Sequence, residues 1–130
     1  MAHAVQVAHK GSYLHVIVTG DNTPRDVSEY LGEVRDACMA HRCAEVLIEE
    51  NLRGRGIGIL AAYEIVSERG APAVASGLRR IAYVDANPEH DRTTLQFAET
   101  VARNRGLIVK LCTSVAEAER WLLRETDSAT

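Results

Sequence analysis

Between residues 46 and 60 an apolar run meets two carboxylates, then a loop of arginines and glycines, then a second apolar run: Val46-Leu47-Ile48-Glu49-Glu50-Asn51-Leu52-Arg53-Gly54-Arg55-Gly56-Ile57-Gly58-Ile59-Leu60. No other stretch restricts the fold as much. It reads as a strand feeding a helix through a turn whose glycines permit positive φ and close backbone approach. Strand–turn–helix units of this kind build parallel sheets. The same turn sets free N–H groups, Arg53 and Arg55 at a helix N-terminus, where an anion is stabilised.

At 130 residues the chain is one domain with enough length for a core. The reading places that domain over residues 1–124 and a flexible tail over 125–130. Hydrophobic residues at 46% and charged ones at 25% fit an ordinary globular composition. A net charge of −3 and a pI near 5.9 argue against general binding to nucleic acid or anionic membranes. No apolar run reaches the roughly 20 residues a bilayer span needs. Met1–Gln6 carries no basic region followed by an apolar one, so no signal peptide is read there and a cytoplasmic location is expected. Cys38, Cys43 and Cys112 lack framework spacing and read as buried free thiols.

The remaining elements follow from period and punctuation. Ala4–His9 and Tyr13–Thr19 alternate around Lys10-Gly11-Ser12, a hairpin pattern with Leu14, Val16 and Val18 inward. Thr23 is a good N-cap and Pro24 a good first helical residue, and Val27, Tyr30, Leu31, Val34 and Cys38 then share one helical stripe to about His41. Cys43–Ile48 is a strand. The next helix is expected from Gly56 to Arg69, stopped by Gly70 and Pro72, with Ala71–Leu78 a loop. Arg80–Asp85 is a strand, Asn87 caps a helix that opens with Pro88 and ends near Gly106, and Leu107–Cys112 is the last strand. Ser114-Val115-Ala116-Glu117 is a capping box for the final helix, with Val115, Ala118 and Leu122 inward.

The order β-β-α-β-α-β-α-β-α predicts an α/β fold with a mostly parallel five-stranded sheet, an N-terminal hairpin and four helices. A sheet covered equally on both sides would show continuous apolar strands. Here Glu45 and Glu49 share one face of a strand while Val46 and Ile48 share the other, His15 interrupts the second strand, and Lys110 the last. Helices are therefore expected mainly on one face, with Val46 and Ile48 turned into them and the other face partly wet or closed by a partner chain.

This order, with Val46-Leu47-Ile48, Gly56-Ile57-Gly58-Ile59-Leu60, Arg80-Ile81-Ala82-Tyr83-Val84 and the closing Ala116–Leu122 segment, resembles the STAS domain of bacterial anti-sigma-factor antagonists, and within it the SpoIIAA-like group. The resemblance runs from about Val5 to Leu123 and implies a sequential βα superhelix acting as a non-enzymatic regulatory or protein-interaction domain. In the antagonists the second helix opens with an Asp-Ser-Ser-Gly-Leu-Gly type sequence whose first serine is phosphorylated. Arg53-Gly54-Arg55 stands there in this chain, with no hydroxyl. The switch works by adding negative charge at that helix end, and two arginines supply the opposite sign.

The strand ends of α/β proteins converge on one edge where ligands bind. On it the reading places Asp21, Asn22 and Thr23; Glu49, Glu50, Asn51, Arg53 and Arg55; Asp85, Asn87, His90, Asp91 and Arg92; and Thr113 and Ser114. The candidate ligand or partner site is Arg53, Gly54, Arg55, Gly56, Asp21, Asp85 and Asn87, with a small anion as its expected ligand and helix capping as the plainer use of Thr23, Asn87 and Ser114. A zinc site at Cys38 and Cys43 lacks further ligands nearby, and an acidic metal site from Asp21, Glu49 and Asp85 lacks matching spacing. No catalytic residue, metal or cofactor is assigned: no nucleophile elbow, P-loop or dinucleotide fingerprint is complete, and the five histidines are scattered and read mostly as solvated. The expected partners are a second copy of the chain, as a homodimer, and a regulatory protein or small anionic ligand. The alternative is a carrier holding a small anion, nucleotide or lipid between helices, with Ala61, Ala62, Tyr63, Val66, Phe97 and Val101 as its lining.

Overall fold

A computed structural model describes the backbone of residues 2–128 and the side chains of residues 2–123. The elements run β1 (His3–His9), β2 (Leu14–Asp21), α1 (Pro24–His41), β3 (Glu45–Arg53), α2 (Ile59–Ala75), β4 (Arg80–Asp85), α3 (Arg92–Asn104), β5 (Ile108–Cys112) and α4 (Val115–Ser128). One sheet holds the strands in the order β1-β2-β3-β4-β5. The β1–β2 pair is antiparallel and every later pair is parallel. The order of elements and the mostly parallel sheet are as the sequence predicts.

Alternation along the strands divides the core in two. Leu14, Val16, Val18, Val46, Ile48 and Ile81 pack with residues of α1, α2 and α3. Tyr13, Leu47, Ala82, Val84 and Cys112 pack with Ala118 and Leu122 of α4 on the opposite face. Three helices therefore lie on one side and one on the other. Glu45 and Glu49 point away from the three-helix layer, as expected: Glu45 pairs with Arg80 and Glu49 with His15 at 3.0 Å. The second face is drier than the sequence implies, because α4 lies over β3, β4 and β5. Fully burying a side chain such as Leu47 or Leu122 contributes about 1.5–3 kcal/mol, and both are 0% exposed.

Helix ends follow local chemistry. Thr23 Oγ1 accepts the Asp26 N–H at 3.0 Å, so the first cap is as read. Ser114 Oγ accepts from the Glu117 N–H at 3.1 Å, and Glu117 reaches back to the Thr113 N–H at 2.6 Å. Two boundaries differ from expectation. α2 starts three residues later than Gly56 and continues through Gly70 and Pro72 to Ala75. Gly70 lies against the Arg105 side chain, where a Cβ would sit 3.4 Å from Cδ, so it serves the packing of α2 on α3. Pro72 has no N–H to give the helix and its ring crowds the carbonyl one turn back, yet the helix runs on past it. The stop comes instead at Ser76-Gly77, with Gly77 at φ +105. α3 begins at Arg92 with Asp91 as its cap, accepting from the Thr93 N–H at 3.0 Å; Asn87 and Pro88 belong to the preceding turn. α4 is helical through Ser128, past the start of the expected tail; residues 129 and 130 lie outside the described residues.

The edge strand β1 is tied to α1 by a histidine. His3 Nδ1 lies 2.8 Å from Asp26 Oδ1, and Nε2 lies 2.9 Å from Glu33 Oε2. The bond to Asp26 raises the His3 pKa above its ordinary 6.5, against the opposing pull of burial and with further help from Glu33. The bonds from His3 and then Thr23 lower the Asp26 pKa below 3.8. A raised histidine pKa adds stability that is fully present below the unfolded value and fades as pH rises through the folded one; a lowered carboxylate pKa adds stability that is lost as pH falls through its folded value. The stability lost in His3→Ala is therefore expected to be largest at about pH 5.5 and to shrink by about pH 9, as read by urea unfolding at both. A difference that stays constant or grows with pH contradicts the charged bridge.

Candidate functional site

At the carboxyl ends of β3 and β4, Glu50 and Asp85 are register partners. Glu50 is in phase with Val46 and Ile48, and Asp85 with Ile81 and Tyr83, so both turn toward the three-helix layer. Two carboxylates side by side under helices need donors or a counter-charge. The surrounding elements provide them. Tyr30, 1% exposed on α1, donates its hydroxyl to Glu50 Oε2, and Tyr83 hydrogen-bonds to Glu50 from β4. Burial raises the Glu50 pKa above 4.5, opposed by the hydroxyl bonds of Tyr30 and Tyr83. Burial, and then the Glu50 charge, pushes both tyrosine hydroxyls well above 10, so each stays a donor.

His90 closes the group. The turn after β4 folds back because the Asn87 N–H donates to Asp85 Oδ1 at 2.9 Å, the Glu89 N–H to Asn87 Oδ1 at 2.9 Å, and the His90 N–H to Asn87 O at 3.2 Å. The imidazole Nδ1 then sits 2.5 Å from Asp85 Oδ2 and 3.9 Å from Glu50 Oε1. Side-chain exposure is 3% for His90, 5% for Glu50 and 6% for Asp85. Around Nε2 lie the Gly54 carbonyl at 3.0 Å and the side-chain amides of Asn22 at 3.1 Å and Asn87 at 3.2 Å. Those amides already donate to the carbonyls of Arg55 at 2.7 Å and Leu52 at 2.8 Å.

Behind this polar end runs a cavity of about 160 Å³ between the sheet and α1, α2 and α3. Its walls are mostly aliphatic, with Ile48, Ala62, Ile65, Val66, Ala98 and Ala102 among them, and Tyr30, Glu50, Tyr83, Asp85 and His90 at one end. Among the described residues two groups have donor atoms close enough for one cation, Glu50–Asp85–His90 and His3–Asp26–Glu29, each with all three atoms within 4.8 Å.

The site residues read from sequence fall into two sets. Asp85, Asn87 and the Gly54 carbonyl meet at His90, and Gly56 lines the cavity. Asp21 and Arg53 pair with each other at 3.2 Å on the surface, Arg53 being 76% exposed, and Arg55 is exposed. Gly54 and Gly58 have φ of +100 and +88, as a glycine turn requires. Sequence reading placed Glu50 and His90 on this edge but gave them no part in the site, and set most histidines in solvent; His90 is buried, and His3 and His15 are paired to carboxylates. The available signal was a carboxylate, Glu50, in phase with the buried Val46 and Ile48. Of the expected cavity lining, Ala62 and Val66 hold that position, whereas Tyr63 and Phe97 face outward, 42% and 37% exposed, with their rings 6.2 Å apart.

No family model matches the chain, and no curated protein matches it. Among solved structures it is similar to an uncharacterised protein of the DUF3478 family with a SpoIIAA-like fold from Shewanella loihica, at 18% identity and a TM-score of 0.51, over 92% of this chain and 93% of that one. The fold is SpoIIAA-like; identity at this level carries no function across. No helix among the described residues is long and apolar enough to cross a membrane.

Removing one donor to a buried carboxylate costs about 1–3 kcal/mol. Tyr30→Phe is expected to lower unfolding free energy by about that amount in urea titrations, and Glu50→Gln in the same chain to recover part of it. Arg53→Ala, breaking an exposed pair, should stay within about 0.5 kcal/mol. Equal costs for Tyr30→Phe and Arg53→Ala would contradict this ordering.

Proposed function

We propose that this SpoIIAA-like domain is a non-enzymatic regulatory module that holds a compact, mostly apolar small molecule in the cavity between its sheet and α1–α3. The observation that carries this reading is the joint presence of an aliphatic cavity of about 160 Å³ and a cluster of hydrogen-bonding side chains at its end. Aliphatic cavities of about 150 Å³ stay dry and take benzene-sized guests, and binding pockets pair apolar walls with a few placed polar groups. The ligand fitted to this site is a ring or short branched chain with a hydroxyl or amine head toward Glu50 and Asp85. Occupancy would reach a partner protein through the α2–α3 surface, where Ile59, Leu60, Tyr63 and Phe97 are exposed.

The probe is 4-methylphenol, added to chelator-treated protein and followed by calorimetry and thermal shift. Saturable binding that stabilises the fold is expected, and Ala98→Leu, which fills the cavity wall, should abolish it while the protein stays folded. Native mass spectrometry of protein from its own cells should show a retained small mass. No saturable binding, or binding untouched by Ala98→Leu, would refute the reading.

A second reading rests on a different observation. β1 is an edge strand with no charge or proline between Ala4 and Ala8, and Val7 is 41% exposed. Unblocked edges pair with a second copy, and two-fold dimers are the commonest closed assembly. Sedimentation at micromolar concentration should give a dimer that Val7→Lys dissociates; a wild-type monomer removes the claim.

A further inference from the structure

We propose that Glu50, Asp85 and His90 bind one divalent first-row metal ion, of the kind represented by Zn²⁺ or Mn²⁺, at the polar end of the cavity. The site lies beside the proposed small-molecule cavity but does not depend on that cavity's organic occupant. It also goes beyond the sequence reading, which assigns no metal here.

Four features of the geometry converge. The donors come from the end of β3, the end of β4 and the turn before α3, and their side chains are 3–6% exposed. A cation about 2.0–2.2 Å from each donor spaces its ligands roughly 3–3.5 Å apart, so an ion here would part Nδ1 and Asp85 Oδ2 from their 2.5 Å contact and draw in Glu50 Oε1 from 3.9 Å. Charge comes next. Two carboxylates acting as ligands match the charge of one divalent ion within a desolvated site.

The third feature is the far side of the imidazole. Nε2 lies 3.0 Å from the Gly54 carbonyl, which also accepts from Asn87 Nδ2 at 3.2 Å. In the tautomer that carries its proton on Nε2, Nδ1 offers a lone pair toward Asp85 and Glu50, and a cation there takes the place of the proton that otherwise bridges Nδ1 and Asp85 Oδ2. Ligating histidines regularly give their other N–H to a backbone carbonyl, and ligating carboxylates are themselves hydrogen-bonded. Here Tyr30 and Tyr83 hold Glu50, and the Asn87 N–H holds Asp85.

The fourth is the polarity of the loop. The carbonyls of Leu52, Gly54 and Arg55 accept from the side chains of Asn22, Asn87 or His90, so the loop sets acceptors around the far side of the imidazole. Carboxylate and imidazole ligands without thiolate suit zinc, manganese or ferrous iron, and the cavity leaves a coordination position open. The His3–Asp26–Glu29 group is the weaker candidate, because both His3 nitrogens are engaged by Asp26 and Glu33.

The test is a calorimetric titration of the full, chelator-treated chain with Zn²⁺ and with Mn²⁺, no organic ligand being present. One ion per chain is expected for at least one of them. Asp85→Asn and His90→Gln should each weaken it by at least about 100-fold, more than the 10–100-fold typical of an outer partner, while His3→Ala leaves it unchanged. A long-range ¹H–¹⁵N spectrum of the wild-type imidazoles keeps the question open to refutation should a variant not fold: the ion should shift His90 Nδ1 while Nε2 stays protonated. Absence of stoichiometric binding of both ions, equal affinity in Asp85→Asn and His90→Gln, or a shift confined to another histidine overturns the proposal. Because 4-methylphenol binding is measured on chelator-treated protein, failure of the metal site and failure of the cavity reading are told apart.

Discussion

Two carboxylates placed next to each other under a helical layer set the terms for the rest of this molecule. Glu50 and Asp85 are neighbours because β3 and β4 are parallel and in that register; a slip of either strand by one residue would turn its carboxylate to the other face. Once they point inward, groups from every adjoining element are drawn to them. Tyr30 orients α1, Tyr83 holds the β4 side, Asn87 bends the following turn, and His90 bridges that turn to the glycine loop before α2. Leaving any one of these buried groups unpaired costs more than the bond itself contributes, so the network specifies a geometry as well as a stability.

The cavity has an equally local origin. α2 and α3 present Ala62, Ala73, Ala98 and Ala102 toward the sheet, and on α1 Gly32 receives the Arg69 side chain. Short side chains let the backbones approach but do not fill the space behind them. On the opposite face Leu122 and Trp121 of α4 pack on Tyr13, Leu47 and Val84 and close a solid cluster. One sheet thus carries a well-filled face and a face with room in it, and the roomy face is the one that ends in titratable side chains. Packing alone gives no reason for that coincidence.

The fold was legible because it rests on period and punctuation. Val46 and Ile48 against Glu45 and Glu49, Thr23-Pro24 and Ser114–Glu117 each depend on neighbours in the chain, and each lies where its local chemistry puts it. Signals that depend on distant residues read less well. Gly70 and Pro72 look like a stop, yet Arg105, at the C-cap of α3, packs on Gly70 and the helix continues. Asn87-Pro88 looks like a cap, yet Asn87 is taken up by Leu52, Asp85 and His90. The site was half visible for the same reason. Asp85 and Asn87 lie at a strand end, where ligand groups are sought by rule, whereas His90 reaches them only through a turn five residues long whose course no periodicity reports.

The glycine loop shows how the same frame can be given the opposite polarity. A helix entry of this kind suits an anion when its N–H groups face the site. Here α2 starts only at Ile59, Gly58 provides no side-chain cap bond, and the carbonyls of Leu52, Gly54 and Arg55 accept from the side chains of Asn22, Asn87 or His90. Arg53 is held on the surface by Asp21. Where the resembled antagonists place a hydroxyl that gains negative charge, this chain has a loop already lined with acceptors beside two carboxylates. On the inner side of that turn the loop groups within reach of His90 are acceptors, whereas Arg53 and Arg55 are exposed.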